Sequence, residues 1–392
     1  MLRPLHHAHI TKNRRPTLHY NFDQHFDRSN TSSTKWEKFA ATDALPFWVA
    51  DMDFAAPDFI LQALRDRLEH PILGYTNRPP SLNEAFQKWL EHHFGWRIPE
   101  QWIVWLPGVV PGLNLAAQTQ EPGTSLLIPT PVYYPFFDLA RNAGLQELRV
   151  AMSVTDGHWQ MDWQAMADAL LPSTRMIVIC NPQNPTGRCF SDTELAELAD
   201  FVERHDLILV SDEIHCSLIL DPACHHSPIA GSCPEIAPRT ITLFAATKSY
   251  NIPGVGCAAA VIPDAKLRAR FRNARAGLMP SIGPLGFIAS EVAFNDRSDW
   301  LPQLLEYLRS NLEMVQAAVG DRLTPVQATY LAWIDVENLE IEDTEAYFVQ
   351  HGLGLSPGAQ FGAPGHVRFN FGCPKATLQI GLERLRKAIA AR

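Results

Sequence analysis

Two hydrophobic rhythms run along this chain. Between Pro57 and Asn295, short apolar runs of strand length (TSLLIP, RMIVIC, LILVSDE, TITLFAA and CAAAVIP) are bounded by turn residues and separated by stretches of helical spacing. PDFILQALRDRLEH places its apolar side chains a helical turn apart, with Pro57 in the first turn. SDTELAELADFVERH opens on Ser191 and Glu194, the spacing of a capping box. Apolar strands alternating with helices predict an α/β fold: a mostly parallel sheet sandwiched by helices. After Asn295 the rhythm changes. A long helix (DWLPQLLEYLRSNLEMVQAAV) precedes YLAWIDV, a short helix, HVRFNFG and a last helix, which predicts a smaller α+β unit. The expected division is an arm over 1–20, a segment over 21–55 joining the small domain, a large domain over 56–290 and a small domain over 291–392.

Composition narrows the function. With 392 residues, 46% of them hydrophobic, the chain can bury a large core without metal or disulfide staples. A net charge of −9 argues against a nucleic-acid partner, whose phosphates need a basic surface. The seven cysteines are odd in number and several lie inside apolar runs, so they read as reduced thiols of a cytoplasmic protein. No apolar run approaches the roughly 20 residues of a membrane span. The basic start, MLRPLHHAHITKNRRP, lacks the apolar stretch of a secretory signal and reads as a disordered arm. Cys216, Cys224, His225, His226 and Cys233 cluster, but not at the spacing of a zinc site, so no metal is expected. HHSP reads as a surface loop and Arg188 as a solvated side chain.

Four apolar strands run into unusual loops: RMIVIC into NPQNPTG, LILV into SDEIH, TLFA into ATKSYNIPG and WIVWLP into GVVPGLNLAA. In open α/β sheets, ligands gather beyond the carboxyl ends of the strands. Lys248 follows an apolar strand among small and hydroxyl residues, where an amine loses its hydration readily. Asp212 ends another strand. Asn184 offers an amide, and Val109 and Val110 offer N–H groups at a helix start that suits an anion. Pro111 has no N–H and only marks that start. Pyridoxal 5′-phosphate (PLP) chemistry needs this set: a lysine for the aldehyde, a carboxylate for the ring nitrogen, a donor for the phenolic oxygen and an anion pocket.

The order GVVPG, TPVYY, NPQNPTG, SDEIH, TKSYNIPG and VRFNFG resembles the class I/II (fold type I) PLP aminotransferase superfamily. WVADMDF, GYT, His215 in SDEIH, TYLAWID and VRFNFGCP resemble its cystathionine β-lyase and cysteine-S-conjugate lyase branch. The resemblance covers nearly the whole chain from about Asn21. It implies that Lys248 attaches the cofactor and moves the Cα proton, that Asp212 partners the pyridine nitrogen, and that Asn184 donates to the phenolic oxygen. His215 stands where transaminases often have a tyrosine facing that oxygen. Tyr133, of the adjacent Tyr133 and Tyr134, is implied to stack on the ring, and Arg368 to grip the substrate carboxylate. Tyr75 is implied to reach the partner's cofactor phosphate, hence a homodimer with shared sites. Many relatives carry a phosphate-binding serine and arginine where this chain has Ala245 and Gly256; Thr247 is expected to supply a hydroxyl instead. The implied reaction is α,β-elimination of L-cystathionine or another S-substituted cysteine to pyruvate, ammonia and a thiol. Transamination and a PLP-retaining regulatory protein are the alternatives. The lack of an arginine assignable to a second carboxylate disfavours an aspartate or glutamate transaminase.

Overall fold

The computed structural model describes residues 19–392. Its main sheet has seven strands in the spatial order Ile103–Leu106, Ala258–Val261, Thr240–Phe244, Ile208–Asp212, Thr174–Cys180, Ser125–Thr130, Gln146–Ala151. Neighbours are parallel except at Ala258–Val261, which runs antiparallel to both of its partners. Nearly every position of the inner strands is buried, because helices cover both faces; continuous apolar runs such as RMIVIC are the sequence form of that double cover. The edge strand Gln146–Ala151 escaped the sequence reading. QELRVA is largely polar and half exposed, so it carries no apolar run.

Local chemistry fixes the covering helices. Asp192–Arg204 begins with a complete capping box: Ser191 accepts from the Glu194 amide, and the Glu194 carboxylate accepts from the Ser191 amide at 2.8 Å. Pro302 lies in the first turn of Trp300–Val319, where its missing N–H costs nothing. That helix packs on the last one, Lys375–Ala390, and on a small antiparallel sheet. The sheet's order is Leu331–Asp335, His366–Asn370, Ser356–Pro357. The N-terminal segment joins this part of the molecule, since Leu45–Pro46 pairs in parallel with Leu353–Gly354.

The arm expected over residues 1–20 lies outside the described residues except at its end, where Tyr20 packs edge-on to Trp300 at 5.1 Å. Among the described residues no helix is long and apolar enough to cross a membrane.

Candidate active site

The carboxyl ends of the parallel strands converge on one cavity of about 240 Å³. Ile103–Leu106 delivers Gly108, Val109 and Val110; Ser125–Thr130 delivers Tyr133; Thr174–Cys180 delivers Asn184; Ile208–Asp212 delivers Asp212 and His215; Thr240–Phe244 delivers Thr247 and Lys248. All of them line it.

Asp212 is buried, accepts one hydrogen bond from the Ile214 amide at 3.1 Å, and has its pKa pushed up to about 7 by desolvation. Burial lowers the Lys248 amine to about 8. His215 is held neutral, its pKa lowered to about 3 by burial and by the positive charges of Lys248 and Arg368, and its Nδ1 has no partner. Tyr133 lines the cavity with a hydroxyl raised to about 12 by burial, whereas Tyr134 turns outward and packs edge-on to Phe361.

Arg368 stands behind Asn184, outside the cavity lining. One guanidinium nitrogen donates to Asn184 Oδ1 at 2.8 Å, another to the Trp48 carbonyl and to Ser356 Oγ, and Nε is buried with no partner. Because Arg368 occupies the amide oxygen, Asn184 presents its Nδ2 donor to the cavity. Burial lowers the Arg368 pKa to about 10, which leaves it charged at neutral pH.

The loop bearing Asn184 is cross-braced. Gln183 donates to the Pro131 carbonyl at 2.9 Å and accepts from the Thr186 hydroxyl. The Gly187 carbonyl takes both the Gln327 and Ala328 amides at 2.9 and 2.8 Å.

Gly256 answers the question posed by the departure there. A Cβ at this position would sit 2.4 Å from the Pro107 carbonyl oxygen. No arginine fits unless the loop before Val109 moves.

Two readings need correction. Arg188 is not solvated: it is buried, ion-paired with Glu194, and rests over Phe190. The capping box fixes Glu194 in place, so the inward-turning arginine meets a ready counter-charge. His226 in HHSP is not on the surface either; it pairs with the buried Glu213 at 2.9 Å, while His225 stays exposed.

Tyr75, unlike Arg368, which contacts the lining residue Asn184, lies away from this chain's own cavity. It is fully exposed, beside Ile72 and Leu73, on an extended segment between two helices.

The structure adds what sequence reasoning missed: the WVADMDF strip reaches the cavity at Ala50, through its backbone. The Ala50 carbonyl accepts from Lys248 Nζ at 2.6 Å and from the Tyr330 hydroxyl at 2.9 Å. Asn370 donates to the Val49 and Asp51 carbonyls, and Asn251 to those of Met52 and Phe54. A partly buried ion cluster of Lys35, Asp53, Arg28 and Asp51, with Lys35 fully buried, anchors the strip. WVADMDF was legible as a motif, but carbonyl contacts leave no mark on side-chain identity.

PLP fits these donors on structural grounds. A desolvated amine and a desolvated carboxylate, both shifted toward neutral pH, face one cavity with the N–H groups of a helix start. The Nδ1 of His215 and the Nε of Arg368 are buried polar atoms without a hydrogen-bond partner, the first on a residue that lines the cavity.

Comparison with known proteins agrees. Residues 42–385 match the family model for aminotransferase class I and II. Cystathionine beta-lyase PatB of Bacillus subtilis (strain 168) is 35% identical over 391 residues, covering 94% of this chain and 100% of that protein. The crystal structure of OvoB superposes with a TM-score of 0.92 at 40% identity, covering 95% of this chain and 100% of that one. Cystalysin from Treponema denticola, whose crystal structure contains PLP, gives 0.90 at 30% identity, with 95% and 100% covered.

Proposed function

The chain belongs to the aminotransferase class I and II family, and from that premise we propose that it is a PLP-dependent carbon–sulfur lyase acting on L-cystathionine or other S-substituted cysteines. The observation that carries the chemistry is Lys248 and Asp212 facing one cavity with both pKa values driven toward neutrality. The lyase assignment follows the relatives of that name.

When bound, PLP supplies an aldehyde for an amine and a ring that accepts the electron pair of a broken Cα–H bond. The protein does the rest. Val109 and Val110 amides, with the Thr247 hydroxyl, hold the phosphate. Asp212 keeps the ring nitrogen protonated; a nearby positive charge returns its pKa toward the ordinary carboxylate range. Asn184 Nδ2 would donate to the phenolic oxygen, and neutral His215 and Tyr133, which line the same cavity, would help to hold the ring. Arg368 takes the substrate carboxylate, a planar match for its guanidinium. Lys248 removes the Cα proton as a base whose pKa of about 8 suits neutral pH. The Cβ–S bond then breaks with its electrons on sulfur. With one water consumed, an S-substituted cysteine becomes a thiol, pyruvate and ammonia.

Tyr75, exposed here, reaches the site of a second copy, so the working unit is a homodimer; the thiol-rich interior suits a cytoplasmic location. The deciding experiment supplies L-cystathionine without any keto acid. Pyruvate, ammonia and thiol should form in equal amounts. Turnover only with an added keto acid would make the protein an aminotransferase, and neither activity would leave a PLP-retaining binding protein.

A further inference from the structure

Tyr330 stands directly behind the cavity wall and belongs to no cofactor motif. It is 1% exposed, its ring packs edge-on to His215 at 6.2 Å, and its hydroxyl donates to the Ala50 carbonyl at 2.9 Å. Lys248 Nζ donates to the same oxygen at 2.6 Å. The residue before it has a strained backbone: Thr329, β-branched, sits at φ 73°. It is held there by its amide on the Leu218 carbonyl at 2.8 Å and by its Oγ1, which accepts from the Leu331 amide at 3.1 Å. Such strain persists only where the surroundings over-determine it, and it gathers at functional sites.

We propose that Tyr330 is a positioning residue that keeps the Ala50 carbonyl hydrogen-bonded when Lys248 leaves it, and so eases release of the lysine nitrogen to an aldehyde. The proposal rests on the reading of Lys248 as the residue that attaches PLP. Attachment joins the nitrogen to the aldehyde carbon and expels the aldehyde oxygen as water with two of the nitrogen's hydrogens. An ammonium has three donors; after attachment the nitrogen keeps at most one hydrogen, and Ala50 loses its lysine partner. A buried carbonyl stripped of every donor carries the full desolvation penalty. The neighbouring carbonyls have donors of their own: Arg368 and Ser356 on Trp48, Asn370 on Val49, and Asn370 and Lys35 on Asp51. For Ala50, that donor is Tyr330.

The test sets two probes against the apoprotein of Tyr330→Phe. PLP engages Lys248; pyridoxamine 5′-phosphate, with an amine in place of the aldehyde, leaves Lys248 on Ala50. The variant should bind PLP about tenfold more weakly, the scale of one orphaned buried acceptor, and pyridoxamine phosphate as the wild type does. In a Lys248→Ala background the same substitution should leave PLP binding unchanged. Equal weakening of both probes would reveal a general packing defect, and no change in either would show that Ala50 does not need this donor; both results overturn the proposal. If Tyr330→Phe does not fold, 3-fluorotyrosine in its place, a stronger donor of nearly the same shape, should tighten PLP alone, and unchanged or weaker PLP binding overturns the proposal. Borohydride reduction of the wild-type holoprotein with peptide mapping tests the underlying reading separately, since an adduct on Lys248 upholds it whatever Tyr330 does.

Discussion

Burial lowers Lys248 from 10.5 to about 8, against the pull of Asp51 and Asp212 and with the push of Arg368. At pH 7 roughly a tenth of such an amine is neutral, some three-hundred-fold more than for an ordinary lysine. The neutral fraction grows as pH rises and saturates above the lowered pKa. The rate at which apoprotein captures PLP, followed by its visible absorption, should therefore climb with pH and level off just above 8. A climb continuing toward 10.5 would mark Lys248 as an ordinary surface lysine. At Arg368, the fork that donates to Asn184, Trp48 and Ser356 cannot be copied by an ammonium. Arg368→Lys should raise KM for the amino acid by about ten- to a hundredfold, the scale of a charge-assisted pair. An unchanged KM would move the carboxylate site elsewhere.

At the scale of elements, the site depends on how closely two strands and a helix start approach. Gly256, just before Ala258–Val261, lets the Pro107 carbonyl come within what would be 2.4 Å of a Cβ, and Gly112 admits Leu106 in the same way. These contacts set the loop that presents the Val109 and Val110 amides. Gly256→Ala must push that loop aside. PLP titration should show affinity falling several-fold, with a lowered Tm, since overpacking costs about 1–3 kcal/mol. Normal PLP affinity in a destabilised variant would show that the phosphate is held elsewhere.

For the whole molecule, the exposed run of Ile72, Leu73 and Tyr75 between two helices, the first of which also exposes Leu68, fits a contact with a second copy. Tyr75→Ala and Lys248→Ala chains should each be nearly inactive alone. Mixed and allowed to exchange subunits, they should recover about a quarter of wild-type activity, because half of the dimers are hybrids with one intact site. No recovery in hybrids verified by mass would confine each site to its own chain.

The sequence by itself determined the alternation of elements, the strand-end loops and which side chains the cavity gathers, because periodicity, caps and charged groups are written in residue types. Ser191 and Glu194 even announced their own capping box. The tertiary structure decided what residue types do not encode. It placed Arg368 against Asn184 across 184 positions of chain, set Ala258–Val261 antiparallel, and buried Arg188 and His226 against carboxylates that the fold had already fixed. It also brought the Ala50 carbonyl of WVADMDF to the cavity, with Lys248 and Tyr330 on that one oxygen. A carbonyl belongs to every residue alike, so only the path of the backbone through space could show which one Lys248 meets.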